Sequence, residues 1–159
     1  MAVDVTNAPG FSAGEIATGE RTSAARLKWV IVADASAPAG LAVNAVACTA
    51  ASTGAAVAGL IGPPGEDAEG HRHPGLPWAG CTVLAVSPAD LAGIRARAAA
   101  SDGVLVVDMP ASAQTNRVYD DYLAELAQTK PEDLAVSAVS IIGPRNKVAK
   151  LVKNLGLLR

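Results

Sequence analysis

Leu27-Lys28-Trp29-Val30-Ile31-Val32-Ala33, closed by Asp34, decides the fold. Such a run, almost wholly apolar and rich in β-branched side chains, predicts a strand buried on both faces, as in a sheet covered by helices above and below. A turn follows at Ala37-Pro38-Ala39-Gly40. From Gly40 to about Gly59 the chain is nearly pure Ala and Val, with Asn44, Cys48 and Thr49 among them, a length that predicts a helix. The alternation then repeats. Cys81 to Val86 reads as a second strand, and Ser87-Pro88-Ala89-Asp90 as a helix start. There Ser87 is the N-cap, Pro88 takes the first helical position and Asp90 closes the cap. Leu91, Ile94 and Ala98 form that helix's inner face.

Gly103-Val104-Leu105-Val106-Val107-Asp108 is a third buried strand. Val118, Tyr119, Tyr122, Leu123 and Leu126, at i, i+3, i+4 spacing, predict a helix with that stripe inward, stopped at Pro131. Leu134 to Ile142 reads as the fourth strand, and Gly143-Pro144 turns into a last helix with Val148, Leu151, Val152 and Leu155 inward. The order β-α-β-α-β-α-β-α predicts an α/β fold of three layers, a central four-stranded mixed sheet flanked by helices. Residues 25–159 make this one domain. Residues 1–24, rich in Gly, Ala, Ser and Thr without a period, read as an N-terminal arm that is ordered only if it packs on the domain. Ile61 to Trp78, punctuated by Gly62-Pro63-Pro64-Gly65 and Pro74-Gly75, is a loop with room for a short hairpin.

Composition fits this plan. The chain has 159 residues, half of them apolar but only 3% aromatic, so small aliphatic side chains fill the core and helices can lie close to the sheet. No signal-peptide pattern opens the chain and no apolar run approaches the roughly 20 residues that span a bilayer. A cytoplasmic protein with no membrane partner is therefore expected. Cys48 and Cys81 are expected to stay reduced. No metal is expected, since His71 and His73 are far from both cysteines in sequence and no CxxC or HxxxH pair occurs. No cofactor is expected either: Gly62-Pro63-Pro64-Gly65 lacks the lysine and helix of a phosphate loop. The net charge is −2, but all 15 acids precede position 144, and Arg145, Lys147, Lys150, Lys153 and Arg159 crowd the tail. That asymmetry suits a weak RNA contact through the basic C-terminal helix, or a solvated helix whose cations face its C-terminal dipole end.

Three segments resemble peptidyl-tRNA hydrolase II. They are Lys28 to Asp34 followed by Gly40 and a small-residue helix, Val107-Asp108, and Ile141-Ile142-Gly143-Pro144 through Asn154-Leu155-Gly156-Leu157-Leu158. The resemblance implies that family's fold and places its catalytic aspartate on Asp108. The family's lysine after the glycine falls on Leu41, its glutamine on Ala45 and its histidine on Cys48. Leu41 thus removes a cation whose loss at such a place costs on the order of 3 kcal/mol of transition-state stabilisation. Ala37-Pro38-Ala39-Gly40-Leu41-Ala42-Val43-Asn44, His73-Pro74-Gly75-Leu76 and Ile142-Gly143-Pro144 look like a related bacterial family catalogued as domain of unknown function two thousand.

Asp34 and Asp108 both end predicted buried strands, where ligands of open α/β sheets gather. If the strands run the same way, the two carboxylates share one rim; otherwise each caps the following turn. Asn44 and Cys48 lie on one helical face after Gly40. Cys48 is a nucleophile if a base such as His73 reaches it, and a small buried cysteine if not. The loop His71-Arg72-His73-Pro74-Gly75-Leu76-Pro77-Trp78 has the composition of a binding loop. Ser112 and Gln114, with Asn116 and Arg117, follow Asp108 closely and either complete a polar pocket or cap a helix. Three readings remain open. One is a diverged hydrolase or acyl-transfer enzyme for an ester, amide or acyl-tRNA-like substrate, with catalytic Asp108 and Cys48. Another is a non-catalytic protein that binds a small molecule or an RNA end. The third is an interaction module that works as a homodimer.

Overall fold

The structure, a computed structural model, describes residues 8–158. The arm's first seven residues lie outside the described residues.

The quoted run is the strand β1 (Leu27–Asp34), and its alternation splits the core in two. Leu27, Trp29, Ile31 and Ala33 face one side of the sheet, while Val30 and Val32 face the other. On the first side lies α1 (Ala39–Ala56), which buries Ala42, Ala45, Thr49 and Thr53 at helical spacing. By length and composition alone α1 is apolar enough to cross a bilayer; here that buried stripe packs on the sheet. A projecting hairpin, β2 (Gly65–Glu66) with β3 (Arg72–His73), then leads to β4 (Thr82–Val86). The hairpin's neck is tight: a Cβ on Gly75 would meet the Gly62 carbonyl oxygen at 1.9 Å, so only glycine fits.

On the second side lies α2 (Pro88–Ala99), capped as expected, with the Asp90 amide donating to Ser87 Oγ at 3.2 Å. Leu91, Ile94 and Ala98 are its buried residues. The chain then enters β5 (Leu105–Pro110), α3 (Ala111–Thr115), α4 (Tyr119–Gln128), β6 (Val136–Pro144), α5 (Arg145–Leu151) and β7 (Gly156–Leu157). The main sheet has the order β5-β6-β1-β4-β7. β1 pairs parallel with β4 and antiparallel with β6, which pairs antiparallel with β5, so β1, β4 and β5 run the same way. Helices cover both faces, and β5 is one edge.

Two expectations need correction. The sheet has five strands, not four. The last helix ends at Leu151, Asn154 takes a φ of 68°, and Gly156–Leu157 turns back to pair with Leu84 and Ala85. Val148 and Val152 are still buried among α2 and the sheet, with Leu151 and Leu155 packed against them. The segment after β5 is two helices instead of one, and α4 buries none of its residues. Val118, Tyr119 and Leu123 are among the most exposed large apolar side chains. The helical period was real, but the faces of the sheet are already filled by α1, α2 and α5, so α4 is left at the β5 edge.

The arm's described part is tied down. The Phe11 amide donates to Ala58 O at 2.8 Å, and its ring packs on Trp78 with centroids 4.8 Å apart. Gly59, with φ 69°, lets that contact form, because a Cβ there would meet the Phe11 carbonyl at 2.5 Å. In the core, Trp29 Nε1 donates to Ser140 Oγ at 2.8 Å, and Ser140 and Thr53 hydroxyls bond at 2.7 Å. Thr53 in turn donates to Thr49 O. Indole only donates and a carbonyl only accepts, so the chain runs Trp29 to Ser140 to Thr53 to Thr49.

Candidate functional site

A cleft of about 350 Å³ opens beside the C-terminal half of β5. Alternation along the strand aims Val107 and Met109 at the α1 side and Asp108, like Val106, at the α2 side. Since β5 is the edge, the cleft reaches both. Cys48, Thr49 and Ser52, successive turns of α1, form one wall; Asn116, Arg117, Tyr119 and Tyr122 of the α3–α4 segment form the other. A second cleft of about 620 Å³ continues along the first half of β5, past Val104 and Leu105, with Leu126, Thr129 and Leu134 opposite. Asp108 lines both.

The electrostatics are uneven. Arg95 Nε on α2 donates to Asp108 Oδ2, and both side chains are about a quarter exposed, at 30% and 22%. Asp108 is thus a neutralised carboxylate. Arg117 has no hydrogen bond or ion pair among the described residues, which leaves its cation open to a ligand. The Tyr119 and Tyr122 rings meet edge to face at 5.4 Å. The Tyr122 phenol is pushed above its usual range, by burial first and then by Tyr119 and the negative Asp108 nearby. Asn116 Nδ2 donates to Ser112 O at 3.0 Å and to Glu125 Oε2 at 2.7 Å, fixing the bend between α3 and α4.

Asp108 and Cys48, the residues singled out as catalytic, do line one cleft. Cys48 is exposed, so the buried reading of that residue is corrected: the face of α1 it occupies looks into the cleft, not onto the sheet. Asn44 and Gln114 also meet, but beside the cleft. Gln114 Nε2 donates to Asn44 Oδ1 at 3.1 Å and to Leu41 O at 2.9 Å, and Ser137 Oγ donates to Gln114 Oε1 at 2.8 Å. The trio clamps α3 onto α1 and β6. Ser112 acts through its carbonyl, which accepts from the Asn116 amide at the end of α3. Gly40 opens α1 in free space.

Asp34 and Asp108 end strands that run the same way, but β6 lies between them, a separation of roughly 10 Å across two strand spacings. Asp34 closes its own turn, accepting from the Ser36 amide at 2.8 Å and the Ser36 hydroxyl at 2.6 Å. His73 is also elsewhere. On the hairpin, Asp67 Oδ2 lies 3.1 Å from His71 Nδ1 and 3.5 Å from His73 Nε2. The amide of His71, above all, lowers the Asp67 pKa. Neither histidine lines the cleft, so Cys48 has no imidazole base there. In the basic tail, Arg145 is spent on the carbonyls of Ala25, Thr22 and Leu27, and Lys147 on that of Asp102.

Arg95, Ser52, Tyr119 and Tyr122 are site residues the sequence did not mark. Arg95 follows the core residue Ile94 and reads as solvated; the tyrosines read as core.

Comparison with known proteins adds family and fold. No curated protein matches the chain. A solved structure of a protein of unknown function from Agrobacterium tumefaciens superposes with a TM-score of 0.73 at 18% identity, covering 83% of this chain and 97% of that one, and so shares the fold. The family profile described as protein of unknown function (DUF2000) matches residues 27–159, nearly the whole α/β domain, and the chain belongs to that family.

Proposed function

We propose that the protein binds a small molecule in the cleft beside β5, one that offers an anionic group to Arg117 and an apolar or aromatic body to Met109, Tyr119 and Tyr122. The observation that carries this reading is the division of charge: Asp108 is neutralised by Arg95 while Arg117 stands unpaired at the same cleft. An unpaired guanidinium beside aromatic rings suits a carboxylate or phosphate on a flat or branched body. Titrating the ¹⁵N-labelled protein with N-acetylphenylalanine and phenyl phosphate tests it. Saturable shifts at 107–110 and 113–122 support the reading; absence of shifts with both probes refutes it.

A second reading is a diverged peptidyl-tRNA hydrolase II that cleaves or transfers an acyl group from an ester, amide or acyl-tRNA-like substrate. One observation favours it: Arg95 supplies a cation beside Asp108, although Leu41 stands where that family has its lysine. Two count against it. The carboxylate is held by that cation, and no histidine stands by Cys48 to activate it. Timed release of the acyl group from an N-blocked aminoacyl-tRNA, with Asp108→Ala and Arg95→Ala alongside, decides: release that needs both residues supports hydrolysis, and no release above buffer rejects it.

A further inference from the structure

The free edge of the sheet at β5 is the largest unspent hydrogen-bonding surface near the site. Its ladder runs only to β6, and among the described residues no backbone group of Leu105 to Pro110 bonds to any other partner. Proteins ordinarily blunt or cover such an edge, since an open one templates another strand. Here α4 stands opposite but does not cover it. Tyr119 and Tyr122 line one cleft, Leu126 the other, and none of the helix is buried. The two clefts share Asp108 and follow each other along the strand, so together they form one trough from Gly103 to Pro110. At ~3.3 Å per residue that trough spans roughly 20 Å, the length of about six extended residues.

Charge places one end of the occupant. Arg117, the unpaired cation, stands by Met109 and Pro110 at the C-terminal end of β5. Toward the middle, Arg95 and Asp108 already neutralise each other. An extended peptide ending in a free carboxylate satisfies both features: its backbone continues the ladder and its terminus meets Arg117. Side chains on alternate positions fall against Met109 and Tyr122 on one side of the edge and Val106 and Leu126 on the other.

We propose that β5 takes the C-terminal segment of an extended peptide as an added strand between the sheet edge and α4, with the peptide carboxylate on Arg117. This rests on the binding reading above and names the ligand class for the same cleft. The mode is strand addition, in which main-chain hydrogen bonds give affinity and alternate pockets give selectivity.

The test is selection from a pool of random hexapeptides displayed with free C-termini, using the full chain. Enriched sequences are then measured by fluorescence anisotropy as the free acid, the C-terminal amide and a version N-methylated at alternate residues. The expected result is enrichment, with about tenfold weaker binding of the amide and loss of binding of at least one N-methylated register. Arg117→Ala makes acid and amide bind alike. Circular dichroism and the thermal midpoint confirm that this exposed-residue variant is folded, and Arg117→Lys restores part of the preference. No enrichment, or winners indifferent to N-methylation, overturns the proposal. Small-probe shifts without peptide enrichment overturn it while leaving the cleft a small-molecule site, whereas failure of both removes the cleft reading itself.

Discussion

Arg95 on α2 and Asp108 on β5 form an ion pair at the point where two clefts meet. The pair is partly buried, so each charge depends on the other. Arg95→Met is expected to strand the carboxylate and to destabilise the fold by about 1–3 kcal/mol in urea unfolding. Asp108→Asn, which keeps an acceptor for Arg95, is expected to lose less. Equal losses in both variants would show a screened surface contact with no role in shaping the cleft.

The buried chain from Trp29 through Ser140 and Thr53 to Thr49 crosses from β1 to β6 to α1. Ser140→Ala leaves the indole N–H without an acceptor in a dry core. The expected loss is about 1–3 kcal/mol, with a shift in the tryptophan emission band. Thr53→Val, which keeps the shape but removes the acceptor for Ser140, is expected to be destabilising by a similar amount. A double variant that costs no more than either single one would show the two groups acting as one unit.

The arm's described residues are argued to belong to the core. Phe11→Ala is expected to cost about 3 kcal/mol, as for other buried aromatic truncations, and to expose Trp78 to a quencher. Gly59→Ala is expected to give the same exposure by forcing the Phe11 backbone away. Unchanged quenching in both would show that the arm lies on the domain without packing into it.

Glu15 supplies a pH signature for that arm. The Arg26 guanidinium, helped by the Ser12 amide and hydroxyl, holds its carboxyl at about 2, below the ordinary 4.5. Its stabilising effect is therefore complete above pH 4.5 and fades as the pH falls towards 2. Thermal midpoints of the protein and of Glu15→Gln should differ at neutral pH and converge in acid. A gap that stays constant down to pH 2 would contradict the pairing. The carboxylate is exposed, so a small gap is expected.

The core strands were legible because burial on both faces leaves long apolar runs, as at Leu27–Ala33 and Leu105–Val107. The Ser87 cap was legible because its chemistry is local. β7 was not: Gly156-Leu157 pairs with a distant strand, and two residues carry no period. α4 shows the opposite failure, since an amphipathic stripe states that a helix has an apolar face but not what fills the space beside it. Asp108 and Cys48 could be marked from their positions at a strand end and on a helix face. Arg95 could not, because its partner lies thirteen positions away across a crossover. Asp34 and His73 were drawn towards the site by residue type, and the fold spends them on a turn and on a hairpin.

The central claim is that Arg117 and the two tyrosines make the cleft beside β5 a binding site. Its most direct measurement is an amide-shift titration with N-acetylphenylalanine, run on the protein and on Arg117→Ala. The account predicts saturable shifts confined to residues 48–52, 107–110 and 113–122, with affinity roughly tenfold weaker in the variant. Shifts scattered over the surface, or a titration that Arg117→Ala leaves unchanged, would contradict it.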